Sequence, residues 1–118
     1  MAKAADPTAA FFEELATRSD EPLLRKATGA MRVEVVDGRT VRRWLVSVED
    51  GRTSVAKGAG AATCVLRADK AVFDKIATGK LNAVAAMLRG ELAADGDWRL
   101  LVRMQRLFPS PPRRRARS

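Results

Sequence analysis

The sequence predicts an α/β fold of the α+β type, in which one helix precedes a run of strands and further helices follow it. Three observations lead to this prediction. Apolar residues recur at helical spacing near the N-terminus, alternate with polar residues from Met31 to about Arg67, and return to helical spacing from Val72 onward. The 118 residues allow one domain, and an apolar fraction of 47% argues against disorder of the whole chain.

The first helix begins at Asp6-Pro7, because aspartate is a good N-cap and proline suits the first helical position. One face of this helix is apolar and carries Phe11, Phe12 and Leu15. A second, short helical turn is expected around Leu23 and Leu24, before Gly29.

Two hairpin signals, Asp37-Gly38 and Asp50-Gly51, divide the alternating region, since a type I′ turn needs positive φ at both central positions. They separate predicted strands that begin near Met31, Thr40 and Arg52. A fourth strand is predicted over residues 62–67, and the four together indicate an antiparallel meander.

The second half is predicted to be mainly helical. Asp69 and Asn82 are suited to cap two helices, which Gly79 and Gly90 would end in the left-handed conformation. Residues 91–94 are short enough to add one strand.

A last helix is predicted from about Trp98 to Phe108, after a turn and cap at Gly96-Asp97. Arg99, Arg103 and Arg106 would lie together on the side opposite its apolar face, most simply as a solvated surface. Residues 109–118 form an Arg/Pro-rich tail, predicted to be disordered, that carries half of the net charge of +8. These three arginines and the tail are candidates for docking to an anionic membrane or to a phosphate-bearing head group.

The composition leaves little catalytic material. Absence of His excludes Ser–His, Cys–His and His-metal chemistry, and the single Cys64 excludes an internal disulfide. Cys64 is expected as a small core residue, and Asp95 and Asp97 as turn and cap residues. We therefore expect neither an enzyme nor a metal or cofactor. No apolar run approaches the roughly 20 residues that cross a bilayer, and no secretory signal is visible, so a cytoplasmic location is predicted.

Nucleic-acid binding is disfavoured despite the basic charge. No aromatic residues interleave with the basic ones, and zinc-finger, helix-turn-helix and RNP patterns are absent from the sequence. Binding driven by the tail at residues 109–118 stays open as an alternative.

Several segments together resemble the sterol carrier protein 2 (SCP2-like) domain family over Leu15 to Phe108. They are Val35-Val36-Asp37-Gly38, residues 72–82 (VFDKIATGKLN), residues 86–92 (AMLRGEL), Asp95-Gly96-Asp97 and Leu107-Phe108. The resemblance implies a five-stranded, mainly antiparallel sheet with helices covering one face and an apolar tunnel between them. It also implies lipid binding without catalysis, the lipid being a sterol, a fatty acid or a fatty acyl-CoA. Trp98 and the arginine-rich tail depart from the family's pattern.

Within the predicted domain, residues 1–108, eight apolar side chains are expected to line the tunnel by apolar contact. They are Trp44, Val46, Phe73, Ile76, Met87, Leu101, Met104 and Phe108. Ordinary core packing is the alternative at each of these positions. Small alanines beside flexible methionines favour a cavity that can change shape. A protein-interaction module that has lost its ligand is the other alternative.

Overall fold

The computed structural model describes residues 6–17, 28–58 and 60–108, except for the Arg106 side chain. The elements in chain order are α1 (Pro7–Thr17), β1 (Thr28–Asp37), β2 (Thr40–Glu49), β3 (Arg52–Lys57), β4 (Cys64–Asp69), α2 (Lys70–Ala77), α3 (Ala83–Leu88), β5 (Ala93–Gly96), α4 (Arg99–Met104) and a 3₁₀ turn (Gln105–Leu107). This order confirms the predicted α+β class. The helical turn expected around Leu23 and Leu24 and the tail at residues 109–118 lie outside the described residues.

The five strands form one mixed sheet in the order β3-β2-β1-β4-β5. The two hairpins pair β1 with β2 and β2 with β3 in antiparallel fashion, as predicted. Asp50 and Gly51 both have positive φ, as a type I′ turn requires. The type I′ prediction for Asp37-Gly38 is wrong, because Asp37 pairs with Thr40 and the central residues are Gly38 and Arg39, of which only Gly38 has positive φ. The fourth strand corrects the predicted meander: β4 pairs with β1 in parallel, and β5 pairs with β4 antiparallel. The connection to β4 therefore crosses β2 and β1. It is held there because Arg32 Nη1 donates to the Gly60 carbonyl at 3.0 Å and the Thr63 amide donates to the Ala30 carbonyl at 2.9 Å.

The core lies between one face of this sheet and the helices. Alternate residues of the three central strands point into it because successive side chains of a strand face opposite ways. The strand residues buried there are Met31, Val33, Val35, Trp44, Val46, Val48, Cys64, Leu66 and Ala68. The helices α1 to α4 all contribute buried side chains to the same cluster. The part of the chain that the structure describes contains no helix with both the length and the apolar character needed to cross a bilayer.

Two of the predicted N-caps form as expected. The Asp6 carboxylate accepts a hydrogen bond from the Ala9 amide at 3.1 Å, and the Asn82 side chain accepts one from the Ala85 amide at 3.0 Å. Asp69 occupies the N-cap position of α2, but its side chain makes no capping hydrogen bond, so that part of the prediction is wrong.

Both predicted helix stops form Schellman motifs. Gly79 and Gly90 have φ of 79° and 78°, a region that glycine adopts at little steric cost. After α2, the Lys80 amide donates to the Lys75 carbonyl at 2.8 Å, and after α3 the Glu91 amide donates to the Ala86 carbonyl at 2.9 Å. The predicted ends of α2 at Gly79 and of α3 at Gly90 are therefore confirmed.

The last helix is shorter than predicted. It ends at Met104 and continues as a 3₁₀ turn, so Arg106 lies outside the α-helix. Trp98 occupies the N-cap position, and the carboxylate of Asp97 accepts from Arg99 Nε at 3.3 Å rather than capping the helix. The expected i, i+4, i+7 ridge is therefore reduced to its i, i+4 pair, Arg99 and Arg103. Asp95 and Gly96, which are predicted in turns, instead lie in β5 and pair with β4.

Candidate functional site

The structure places the eight predicted lining residues in one apolar cluster. Six of them, on β2, α2 and α4, are no more than 4% exposed: Trp44, Val46, Phe73, Ile76, Leu101 and Met104. The other two, Met87 of α3 and Phe108 after the 3₁₀ turn, are half-buried and pack against the same cluster. The predicted residues thus come from both the sheet and the helices and lie in or against the same hydrophobic core. That they enclose a ligand remains a prediction.

A layer of aromatic rings forms one side of this cluster. Phe12 stacks on Trp44 with ring centroids 4.5 Å apart, and Phe11 stacks on Phe108 at 5.2 Å. Phe11 and Phe12 also meet edge to face at 5.0 Å. Helical spacing predicted these two phenylalanines on the apolar face of α1. It could not assign them to the site, because their ring partners Trp44 and Phe108 are distant in sequence.

A charged cluster ties α1 to the sheet and to α2 at the edge of the aromatic layer. The carboxylate of Asp6 lies 2.7 Å from Arg42 Nη1 and 3.4 Å from Lys70 Nζ, and the Arg42 guanidinium lies 5.6 Å from the centre of the Trp44 ring. Lys70 also pairs with Asp74 at 2.9 Å. These contacts hold α1 over the Trp44 end of the core.

The electrostatics of this cluster appear in the pKa of Asp6. Partial burial raises this pKa, but the Ala9 amide, Arg42 and Lys70 outweigh it and lower the pKa to about 2. The carboxylate is therefore charged at neutral pH and keeps both of its cationic partners.

The candidate cluster is built from apolar side chains. Among them, no group of three or more His, Cys, Asp or Glu side chains could hold a metal ion. Cys64 is fully buried in the core, as predicted. Burial, reinforced by the charges of Asp97 and Asp95, raises the pKa of this thiol to about 11, so it stays protonated at neutral pH.

Two surface grooves lie apart from the eight predicted residues. One, of about 600 Å³, is polar and is lined by Ser47, Glu49, Asp50, Arg52, Thr53 and Ser54. The other, of about 370 Å³, lies at the ends of α2 and α3 and is lined by Val72, Lys75, Lys80, Leu81, Arg89 and Glu91. Neither groove includes a residue of the predicted tunnel.

Comparison with known proteins agrees with the fold and the motifs. The SCP-2 sterol transfer family matches residues 8–109. The chain is 28% identical over 88 residues to peroxisomal multifunctional enzyme A of Dictyostelium discoideum, covering 73% of this chain and 20% of that protein. It is 28% identical over 103 residues to sterol carrier protein 2 of Homo sapiens, covering 85% of this chain and 19% of that protein. The chain thus spans about a fifth of the length of these curated relatives.

The fold is also similar to that of a solved structure, the solution structure of palmitated SCP2L2 from Aedes aegypti. The TM-score is 0.73 at 14% identity, and the match covers 92% of this chain and 98% of that chain. At this identity the similarity establishes a shared fold.

Proposed function

The chain belongs to the SCP-2 sterol transfer family, as its motifs predicted, and from that premise we propose that it binds an apolar lipid between its sheet and its helices. The ligand classes are those the resemblance implied: a sterol, a fatty acid or a fatty acyl-CoA. The domain holds the lipid by apolar contact and carries out no reaction on it. Release to an acceptor then makes the domain a carrier.

One observation carries this proposal: among the described residues, the inner sheet face shares an apolar cluster with α1, α2, α3 and α4. A bound chain in this cluster would touch side chains from both layers, for example Val46 on the sheet and Met104 on α4. The palmitated relative from Aedes aegypti supports a fatty acyl ligand for a domain of this fold. The human relative, a sterol carrier protein, supports a sterol.

The helices that cover the cluster are short, which favours opening on that side. The helices α2, α3 and α4 have 8, 6 and 6 residues. Helices of this length depend on packing for their stability, because isolated helices shorter than about 12 residues are marginal in water. Met87 and Met104 can change rotamer to fit a ligand, since the unbranched thioether side chain is flexible. We propose that a lipid enters by separating these helices from the sheet.

The energetics favour exchange over permanent storage. An acyl chain of about 16 carbons gains roughly 0.8 kcal/mol per methylene on leaving water, or about 13 kcal/mol in total. Separating packed helices, ordering the chain and associating the two molecules offset much of this gain. Costs of about 5 kcal/mol, at the low end of those for association, leave about 8 kcal/mol, which corresponds to a Kd on the order of micromolar. A domain with this affinity can load and unload as lipid concentrations change.

A cytoplasmic location for this carrier, and the use of its arginines to contact membranes, remain predictions.

The experiment compares palmitate binding to the wild type and to a pair of variants on α3, by native mass spectrometry and isothermal calorimetry. Met87→Trp places a larger side chain on the core side of α3, at a half-buried position. Leu88→Trp makes a similar change one residue later, on a side chain that is 77% exposed. We expect one palmitate per wild-type molecule, binding at least tenfold weaker to Met87→Trp, and wild-type binding to Leu88→Trp.

Two results would contradict the proposal. One is wild-type protein that binds no fatty acid, sterol or acyl-CoA. The other is equal palmitate binding by wild type and Met87→Trp, which would place the ligand elsewhere. Purification with a stoichiometric protein partner and without lipid binding would instead identify an interaction module.

A further inference from the structure

The outward face of α4 combines exposed apolar and basic side chains. Among the described residues, three large apolar side chains are exposed: Leu88 at 77%, Trp98 at 50% and Val102 at 37%. Two of the three, Trp98 and Val102, lie one helical turn apart at the start and the middle of α4. Arg99 and Arg103 are exposed beside them.

Helix geometry places these four side chains on a single surface. Trp98 has helical φ and ψ of −63° and −18°, so the helical spacing extends to it. At about 100° per residue, the four positions fall within an arc of roughly 140°, with the apolar pair at one side and the arginines at the other. The opposite side of the helix is buried in the core through Leu100, Leu101 and Met104. We call this outward surface, formed by Trp98, Arg99, Val102 and Arg103, the α4 face.

The α4 face carries exposed apolar side chains that a helix surface in contact with water alone does not require. A tryptophan beside valine and arginines is typical of segments that lie at a membrane interface, where the ring sits at head-group depth. Trp98 and the arginine-rich tail are also the two features that the family motifs do not explain. Trp44 is 4% exposed and has a packing role in the core, whereas Trp98 is half exposed and has no such role.

The charge around the α4 face favours an anionic partner. Asp97 offsets one charge through its ion pair with Arg99 at 3.3 Å, but both partners are open to solvent, at 49% and 77% side-chain exposure. Solvent-exposed pairs of this kind hold their partners weakly. Residues 109–118, which follow soon after α4, carry four arginines and no acidic residue, and the whole chain has a net charge of +8. Each basic residue near an anionic bilayer strengthens binding by on the order of fivefold.

We propose that the α4 face docks the protein onto an anionic membrane surface. Trp98 and Val102 enter the head-group region, and Arg99 and Arg103 contact lipid phosphates and carboxylates. Docking in this way goes beyond holding a lipid, because it supplies the membrane from which a carrier loads. It does not depend on the interior site, so vesicle binding and palmitate binding can fail independently.

The test measures binding of the full chain to vesicles of phosphatidylserine and phosphatidylcholine, and to vesicles of phosphatidylcholine alone, by co-sedimentation and tryptophan emission. We expect binding to the anionic vesicles with a blue shift, which comes from Trp98 because Trp44 is already buried. The double variant Trp98→Ser/Val102→Ser loses the shift and at least tenfold in binding. Arg99→Gln/Arg103→Gln weakens binding by about tenfold or more.

The control variants leave the α4 face unchanged. Leu88→Ser removes the most exposed apolar side chain, on α3, and Arg52→Gln/Lys57→Gln removes two exposed charges on β3. We expect each to bind anionic vesicles within threefold of wild type. The proposal is overturned by absence of wild-type binding, or by equal losses in the control and α4-face variants. It is also overturned by a self-association that Trp98→Ser abolishes, which would make the face an interface between two copies.

Discussion

Replacement of Glu34 by glutamine is expected to remove the centre of a charge network on the outer face of the sheet. Glu34 lies on β1 and is 8% exposed. Its register partners are Arg43 on β2 and Arg67 on β4, and Arg32 precedes it by two residues on the same face. Glu34 Oε2 lies 3.1 Å from both Arg32 Nε and Arg43 Nε, and Oε1 lies 2.8 Å from Arg67 Nη1.

The expected loss in the free energy of unfolding follows from these three contacts. A hydrogen bond to a charged group stabilises a protein by about 1.5–3 kcal/mol, and less where the partner is open to solvent. The three arginines are 25%, 40% and 50% exposed, so each contact is partly screened. Glutamine keeps the shape but can accept only through one oxygen, and it leaves three positive charges close together. We expect Glu34→Gln to lower the free energy of unfolding by about 2–3 kcal/mol, which corresponds to a Tm lower by roughly 10 to 20 °C.

The stability lost in Glu34→Gln is expected to be smaller at acidic pH than at neutral pH. Burial raises the pKa of Glu34, but the hydrogen bonds from Arg43, Arg67 and Arg32 outweigh it, so the pKa of the folded protein lies below the ordinary value. The stability this provides is complete above the unfolded pKa of about 4.3 and is lost as the pH falls through the folded value. The stability gap between wild type and Glu34→Gln should therefore be full at pH 7 and shrink as the pH falls below about 4.

Urea unfolding followed by circular dichroism, at neutral pH and at several pH values below 4, measures this gap. Glu91→Gln is the matched control, because Glu91 pairs with one arginine, Arg89, at 3.0 Å on the surface. We expect the control to change stability by less than about 0.5 kcal/mol. The reasoning is refuted if Glu34→Gln is as stable as the control at pH 7, or if the gap stays constant as the pH falls.

Three further outcomes follow from single residues. Cys64 should resist a thiol reagent in the native protein and react on unfolding, because burial raises the pKa of its thiol to about 11; fast native labelling would refute this. Gly96→Ala should be at least about 2 kcal/mol more destabilising than Gly38→Ala, since both have positive φ but only at Gly96 would a Cβ contact the Thr63 carbonyl. Equal unfolding free energies would contradict that difference. Asn82→Ala should cost about 1 kcal/mol in a urea titration by removing the α3 cap, and an unchanged midpoint would show that the cap contributes nothing.

Local chemistry made much of the fold predictable. The Asp50-Gly51 turn, the Asn82 cap and the stops at Gly79 and Gly90 are each set by residues within a few positions of one another. Strand partners are not local, so the period-two pattern of residues 62–67 could not show that β4 pairs with β1 rather than β3. The family resemblance implied a mainly antiparallel sheet without placing the parallel pair.

The inward position of the candidate site residues was predictable for a related reason. Apolar periodicity identifies which side chains face inward, and all eight predicted residues do lie in or against the core. Periodicity does not show which inward side chains contact a ligand, and it did not link Phe12 to Trp44 across the fold. The network around Glu34 was missed because alternation assigned Arg32 and Glu34 only to a polar face. Their arginine partners come from two other strands.

The most direct measurement is an isotope-filtered nuclear Overhauser experiment on the protein with bound palmitate, using ¹³C-labelled methionine methyl groups. If the lipid lies between sheet and helices, the protons of its acyl chain will give cross-peaks to the methyl groups of Met87 and Met104, which lie on α3 and α4 of the apolar cluster. Cross-peaks confined to surface groups, or none at all under saturating palmitate, would contradict the account.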